Sequence, residues 1–233
     1  MELDHQPVNP VFSVILPVYN ESARIPWLVQ NYRASLDGLG ESWELLLIIN
    51  GSRDDSFSVA QGLVADTPQL RVFELKQPGW GRAVKLGLQE ARGECLCYTN
   101  SARTELADLQ LALRYSRVNP EVMVKASRIV RDSWLRKLGS SLYNFEFRLL
   151  FRVPVWDVNG TPKVLPRGLL EQLPPIASFS DGDLIDAQVV SRCFHRGLRI
   201  LEMPVVCTRR YGGKSTTNWK SAWKMYTGLL GLR

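Results

Sequence analysis

Short runs rich in β-branched and aromatic residues return at regular intervals along this chain, and helix-periodic segments lie between them. The runs are VFSVIL at 11–16, WELLLII at 43–49, LRVFEL at 70–75, ECLCYT at 94–99 and EVMVKA at 121–126. Between them, Ile25, Leu28, Val29, Tyr32 and Leu36, then Phe57, Ala60 and Val64, then Ala83, Val84, Leu88 and Ala91, then Leu106, Leu109 and Leu113 recur with the spacing of one helix face. Each connection is helix-sized, which predicts parallel strands joined by right-handed crossovers. The expectation is an α/β fold with a mostly parallel central sheet flanked by helices.

The rhythm breaks after about residue 130. A long amphipathic segment follows, then the turn-rich VPVWDVNGTPKVLPR at 153–167, then a helix-strand-helix region. With 233 residues and no internal repeat, this reads as an elaboration of a single domain over 1–233. The longest aliphatic run, at 45–49, is far short of the ~18 apolar residues needed to span a bilayer. The opening MELDHQPVNP has no basic-then-apolar signal pattern, so a cytoplasmic protein is expected. Cysteines at 95, 97, 193 and 207 form no CxxC pair, and His5 and His195 lie far apart, so no metal site is read from them. Cys95 and Cys97 fall on one face of a strand and read as buried free thiols.

Charge is informative in its placement. The net charge is +6, and from residue 190 onward nine Lys and Arg face only Glu202. A second basic segment, 125–152, is interleaved with Trp134, Leu135, Leu138, Leu142, Phe145 and Leu149. Such patches suit phosphates, anionic lipid headgroups or nucleic acid; a solvated face beside a core stripe is the competing account. No aromatic-basic recognition motif is present, so a nucleic-acid partner is not expected.

In an open parallel sheet, ligands bind beyond the carboxyl ends of the strands. Here those ends are polar: Pro17-Val18-Tyr19-Asn20-Glu21, Asn50-Gly51-Ser52-Arg53-Asp54 and Asn100-Ser101-Ala102-Arg103. Each alone is explained by a turn or a helix cap. Three together point to a polar crevice.

SVILPVYNESARI at 13–25, NGSRDDS at 50–56 and GWGRAVKLGLQEARGECLCYTNS at 79–101 resemble, in order and spacing, the donor half of family 2 glycosyltransferases of the GT-A fold. DVNGTPK at 157–163, DGDLIDAQVV at 181–190, GLRILEMPV at 197–205 and RRYGGKST at 209–216 resemble the dolichyl-phosphate mannose synthase and polyprenyl-phosphate glycosyltransferase branch. The resemblance covers about 11–217. It implies a nucleotide-sugar-binding half at about 11–126, an acceptor half at about 127–217 and a C-terminal amphipathic helix at 218–233. The implied activity is inverting transfer of a hexose from a nucleotide-diphosphate sugar to a lipid-linked polyprenyl phosphate.

By the same resemblance, Pro17, Tyr19, Asn20, Glu21, Asn50 and Ser52 line the base and ribose pocket, with Asn50 where the family commonly has Asp. Gly81, Arg82, Asn100, Ser101, Ala102 and Arg103 approach the diphosphate. The family's Asp-x-Asp motif, which holds Mg²⁺ or Mn²⁺, stands here as Asn100-Ser101-Ala102. Ala102 has no ligating atom and a neutral amide is a weak ligand for a hard cation, so the first expectation is no cofactor, with Arg82 and Arg103 neutralising phosphate oxygens, and bound Mg²⁺ or Mn²⁺ is the alternative. The alternative is a chain that kept the fold and binds a nucleotide-sugar or a partner without turnover.

For the acceptor side, the resemblance implies Ser127, Arg128, Arg131, Arg136 and Lys163 near the phosphates, with Arg210, Lys214 and Ser215 closing over the donor. Asp183 is the first candidate for a catalytic carboxylate and Asp181 the second; an acid at a helix start is also an ordinary cap. Asp157 either orients the sugar or braces a turn. The stretch at 134–149 and the stripe Trp219, Trp223, Tyr226 and Leu230, beside Lys220 and Lys224, suit a membrane interface. A peripheral contact at the inner membrane face is therefore expected, against packing onto the protein's own core.

Overall fold

The computed structural model describes residues 9–131, 134–207 and 219–231; side chains at 131, 134–136, 207 and 219–224 are outside that description. Its strands are β1 (Phe12–Val18), β2 (Trp43–Asn50), β3 (Leu70–Leu75), β4 (Cys95–Tyr98), β5 (Val122–Arg131), β6 (Lys163–Pro166) and β7 (Arg199–Cys207). They form one seven-stranded sheet in the order β3-β2-β1-β4-β6-β5-β7. The helices are α1 (Ile25–Asp37), α2 (Ser56–Gly62), α3 (Trp80–Glu90), α4 (Leu106–Val118), α5 (Trp134–Phe151), α6 (Arg167–Leu170), α7 (Ile185–His195) and α8 (Trp219–Leu230).

Period-two side-chain alternation divides the core into two layers. Phe12, Val14, Leu16 and Val18 of β1 pack with Ile25 and Leu28 of α1, Ala60 of α2 and Leu109 of α4. On the other face, Ile15 of β1 joins Val84 and Leu88 of α3, Phe147 of α5, Val190 of α7 and Leu229 of α8. With both faces covered, the central strands are apolar nearly throughout. Cys95, Cys97 and Cys193 are buried free thiols. Burial pushes the Cys193 thiol up to about 12 and raises Cys97 as well, which leaves both inert.

β6 is the element the sequence pattern did not reveal. It runs antiparallel between β4 and β5, pairing Tyr98 with Lys163 and Lys125 with Lys163. The remaining pairs are parallel, as expected. The chain moves outward from β1 to β2 and β3, then returns through α3 to β4 on the other side of β1. This reversal puts the topological switch point at the carboxyl ends of β1 and β4, between oppositely directed crossovers, where open α/β sheets form their binding crevice.

The amphipathic segments differ from a simple core stripe. Tyr143 and Phe147 of α5 are buried, while Leu138, Leu142, Phe145 and Leu149 lie exposed at 50–69%. In α8, Tyr226 packs edge-on against Tyr143 with ring centroids 5.7 Å apart and donates its hydroxyl to the Gly139 carbonyl, while Leu230 is exposed. Trp219 and Trp223, named as interface residues from the sequence, have side chains outside the described set. No described helix is long and apolar enough to cross a membrane.

Candidate functional site

Three strand-end loops are laced together at the rim of the crevice. Asn20, in the left-handed region at φ 51°, donates its backbone N–H to Ser52 Oγ at 3.0 Å and accepts the Arg53 N–H on Oδ1 at 2.8 Å. Glu21 N–H donates to Ser56 Oγ at 3.0 Å, and Ser22 N–H to Asp54 Oδ2 at 3.0 Å. Partial burial raises the Asp54 carboxyl, but hydrogen bonds from Ser56 and Ser22 outweigh it and hold the group down at about 2. Gly51 has φ +68°, and a Cβ there would lie 2.5 Å from the Pro78 nitrogen, so the turn after β2 requires glycine. Asn50 Oδ1 accepts the Gly79 N–H at 2.9 Å, tying in the start of α3. Tyr19 is partly buried at this rim, whereas Pro17 is buried within β1 and offers no open surface.

The loop after β4 is braced from below by a closed ring. Ser101 Oγ donates to Glu21 Oε1 at 3.0 Å, Arg24 Nη1 to Glu21 Oε2 at 2.9 Å, and Arg24 Nη2 to the Ser101 carbonyl at 2.8 Å. Asn100 Oδ1 accepts the Ala102 N–H at 2.9 Å. Ser101 and Ala102 are buried, and Arg103 is partly buried. These groups do not fit a divalent cation. Positions 100 and 102 carry no carboxylate, Glu21 is engaged on both oxygens, and no cluster of three or more His, Cys, Asp or Glu that could hold a metal occurs among the described residues.

Arg82 and Asp181 meet across 99 positions of sequence. Arg82 Nε donates to Asp181 Oδ2 at 3.2 Å, its backbone N–H to the Asp181 carbonyl at 3.1 Å, and Nη1 to Gln77 Oε1 at 2.7 Å. Lys85 pairs with Asp181 and donates to the Phe179 carbonyl at 3.0 Å. Lys85 and Arg82 hold the Asp181 carboxyl below the usual range. A Cβ at Gly81 would lie 2.1 Å from the Ser180 carbonyl oxygen, so residues 180–182 press directly on the first turn of α3. Gly81 is therefore buried under this strap and Arg82 is engaged by it, where the sequence placed both facing a diphosphate. Asp183 is exposed, just before α7.

On the acceptor side, Arg128 grips Asp157 with two prongs, Nε to Oδ2 at 2.7 Å and Nη2 to Oδ1 at 2.8 Å, while its backbone N–H adds a third bond to Oδ2 at 3.0 Å. Asp157 is buried, so the carboxylate braces this turn. Lys163 lies wholly in the interior, with Nζ 2.5 Å from Asp186 Oδ1. Its position corrects the expectation of a phosphate contact: pairing in the short strand β6 turns the side chain inward. Burial pushes the Lys163 ammonium down to about 8 against the pull of Asp186. The Tyr98 hydroxyl donates to Asp186 Oδ1 at 3.1 Å and the Trp80 indole to Oδ2 at 3.0 Å. Tyr98, Lys163, Lys125 and Glu202 form a row across β4, β6, β5 and β7, with Lys125 Nζ 2.8 Å from Glu202 Oε1. Ser127 is buried.

Sequence reasoning missed Arg24 and Asp186. Asp186 shares a face of α7 with Val189 and Val190 at i+3 and i+4, and an acid on an apolar stripe was its available signal. Arg24 offered none. The side chains of Arg131 and Arg136, and residues Arg210, Lys214 and Ser215, lie outside the described set.

The family model for glycosyl transferase family 2 matches residues 13–165. Among curated relatives, an undecaprenyl-phosphate 4-deoxy-4-formamido-L-arabinose transferase of Aeromonas hydrophila is 28% identical over 135 residues, covering 57% of this chain and 41% of its own length. The enzyme of that name from Shewanella sediminis is 30% identical over 144 residues, with the same coverage. The chain thus spans about two fifths of the length of these relatives. Glucosyl-3-phosphoglycerate synthase from Mycobacterium tuberculosis, in complex with Mn²⁺, UDP and glucosyl-3-phosphoglycerate, superposes with a TM-score of 0.70 at 19% identity, covering 95% of this chain and 77% of the other. The shared architecture is the GT-A fold.

Proposed function

We propose, from the premise that this chain belongs to glycosyl transferase family 2, that it moves a hexose from a nucleotide-diphosphate sugar to a polyprenyl phosphate. The observation that carries this reading is the convergence of the three loops after β1, β2 and β4 on the switch-point crevice, with Tyr19, Asn20, Asn50, Ser52 and Asn100 at its rim. Aromatic and amide groups of that kind suit base and ribose edges. The curated relatives named for undecaprenyl-phosphate transfer support the acceptor class.

In the proposed reaction, an acceptor phosphate oxygen forms a bond to the anomeric carbon as the bond from that carbon to the diphosphate oxygen breaks, with inversion. The phosphate is already mostly ionised at neutral pH, its second pKa being ~6, so positioning and charge neutralisation matter more than a strong base. Asp157, locked by Arg128, is a fixed anion that orients this half of the site. Asp183, exposed before α7, is the carboxylate assigned to face the sugar, with Asp181 second; Asp181 is already tied to Arg82 and Lys85.

The exposed face of α5 supports a peripheral contact with the lipid surface. Leu138, Leu142, Phe145 and Leu149 stand on one side, with Lys137 and Arg152 exposed and Arg148 stacked 4.8 Å over Trp156. Apolar side chains flanked by cations suit an interface with anionic headgroups. The inner membrane face is the assigned location.

A second reading, binding without turnover, is favoured by the carboxylate-free Asn100-Ser101-Ala102 loop. Sugar-labelled nucleotide donors with undecaprenyl phosphate separate the two. Label in the lipid product supports transfer; donor binding with no lipid product from any sugar supports the second reading.

A further inference from the structure

The loop after β4 is where the fold family places two acids around a divalent cation, and this chain has rebuilt it differently. Arg24, Glu21 and Ser101 each bond to the other two, at 2.8–3.0 Å, and the Arg24 and Glu21 side chains are only 16% and 8% exposed. The Asn100 side chain is folded back onto the Ala102 N–H. The Arg24 guanidinium also lies 5.3 Å from the Trp27 ring centroid.

We infer that the donor end of this chain works without a divalent cation, and that Arg24 is the positioning residue that allows it. The inference rests on the donor-binding reading above. A metal held by two carboxylates does two things: it fixes the conformation of the loop and leaves the spot electrically neutral. The ring does both with protein atoms, since Glu21 and Arg24 cancel in charge and Ser101 is held through its hydroxyl and its carbonyl. A cation at this point would have to take Glu21 from Arg24, stranding a mostly buried guanidinium without its counter-ion beside a second positive charge. The two sites exclude each other. Charge on the diphosphate then falls to cationic side chains of the same rim, Arg103 being next along the chain, since Arg82 is engaged by Asp181 and Gln77.

The test is calorimetric titration of the full chain with UDP, GDP and dTDP and their glucose conjugates, in one arm with EDTA and in the other with Mn²⁺. Equal affinities in the two arms, within about twofold, are expected for whichever nucleotide binds. Arg24→Gln is expected to weaken binding about tenfold or more in both arms while the chain still melts cooperatively, and Arg24→Lys to recover part of the loss. Tightening of the unaltered chain by about tenfold with Mn²⁺ would overturn the inference and leave the donor-binding reading standing. So would an Arg24→Gln chain that binds as well as the unaltered one. Absence of binding to every nucleotide in both arms would instead remove the donor-binding reading, and the inference with it.

Discussion

Lys163 and Asp186 meet at 2.5 Å in the interior of the molecule, joining the start of β6 to the first turn of α7, with Tyr98 and Trp80 completing the carboxylate's bonds. Of those two partners, Tyr98 lies two residues before Asn100 and Trp80 two before Arg82. Removing one partner leaves the other charge buried, at a cost of ~3–5 kcal/mol. Lys163→Met is therefore expected to lower the unfolding free energy by about that much, read from urea titration. Lys163→Met/Asp186→Leu is expected to recover most of it. A single variant as stable as the parent would show that the pair is not a buried brace.

Asp54 gives a pH dependence. Its carboxyl falls from 3.8 to about 2 on folding, so the native state binds fewer protons than the unfolded chain in that window. The resulting stabilisation is present above pH 4 and lost as pH falls toward 2. Melting temperatures measured across this range should fall less steeply for Asp54→Asn than for the parent. Parallel acid limbs would rule out this carboxylate as a source of the slope.

Gly81 tests the strap over α3. A Cβ at this position would come within 2.1 Å of the Ser180 carbonyl oxygen, a backbone atom that moves only with its segment. Gly81→Ala is expected to cost ~1–3 kcal/mol despite the better helix propensity of alanine. It should also speed amide exchange in residues 180–183. An unchanged or raised melting temperature would show that the strap rests loosely on the helix.

The exposed α5 face allows the proposed membrane contact to be tested apart from donor binding. Leu142→Asp and Phe145→Asp alter exposed residues, so stability should change by no more than ~0.5 kcal/mol. Co-sedimentation with vesicles containing anionic lipid should nevertheless drop severalfold, with nucleotide affinity unchanged. Vesicle binding identical to the parent would remove α5 from the membrane contact.

Much of the architecture was legible because each early strand has its own apolar run and each helix its own stripe. Val14 and Leu16, or Leu28 and Val29, report their faces through spacing alone. β6 was not legible: KVLP is four residues long, follows Pro162 and ends on Pro166, and its place in the sheet comes from partners on β4 and β5. The rim loops were found from their polar composition, but their bonding was not. Arg82 and Asp181 are 99 positions apart, and Arg24 and Ser101 are 77 apart; nothing local announces either contact. For α5 the amphipathic pattern was visible, yet periodicity cannot say that Tyr143 and Phe147 face inward while Leu142 and Phe145 face out.

Amide hydrogen exchange with and without a bound sugar nucleotide tests most directly whether the crevice between β1 and β4 is the donor site. The crevice account predicts slowed exchange concentrated in residues 19–24, 50–54 and 99–104, the first of these being bonded to each of the other two. Slowed exchange confined to other segments, with these three unchanged at saturating donor, would contradict it.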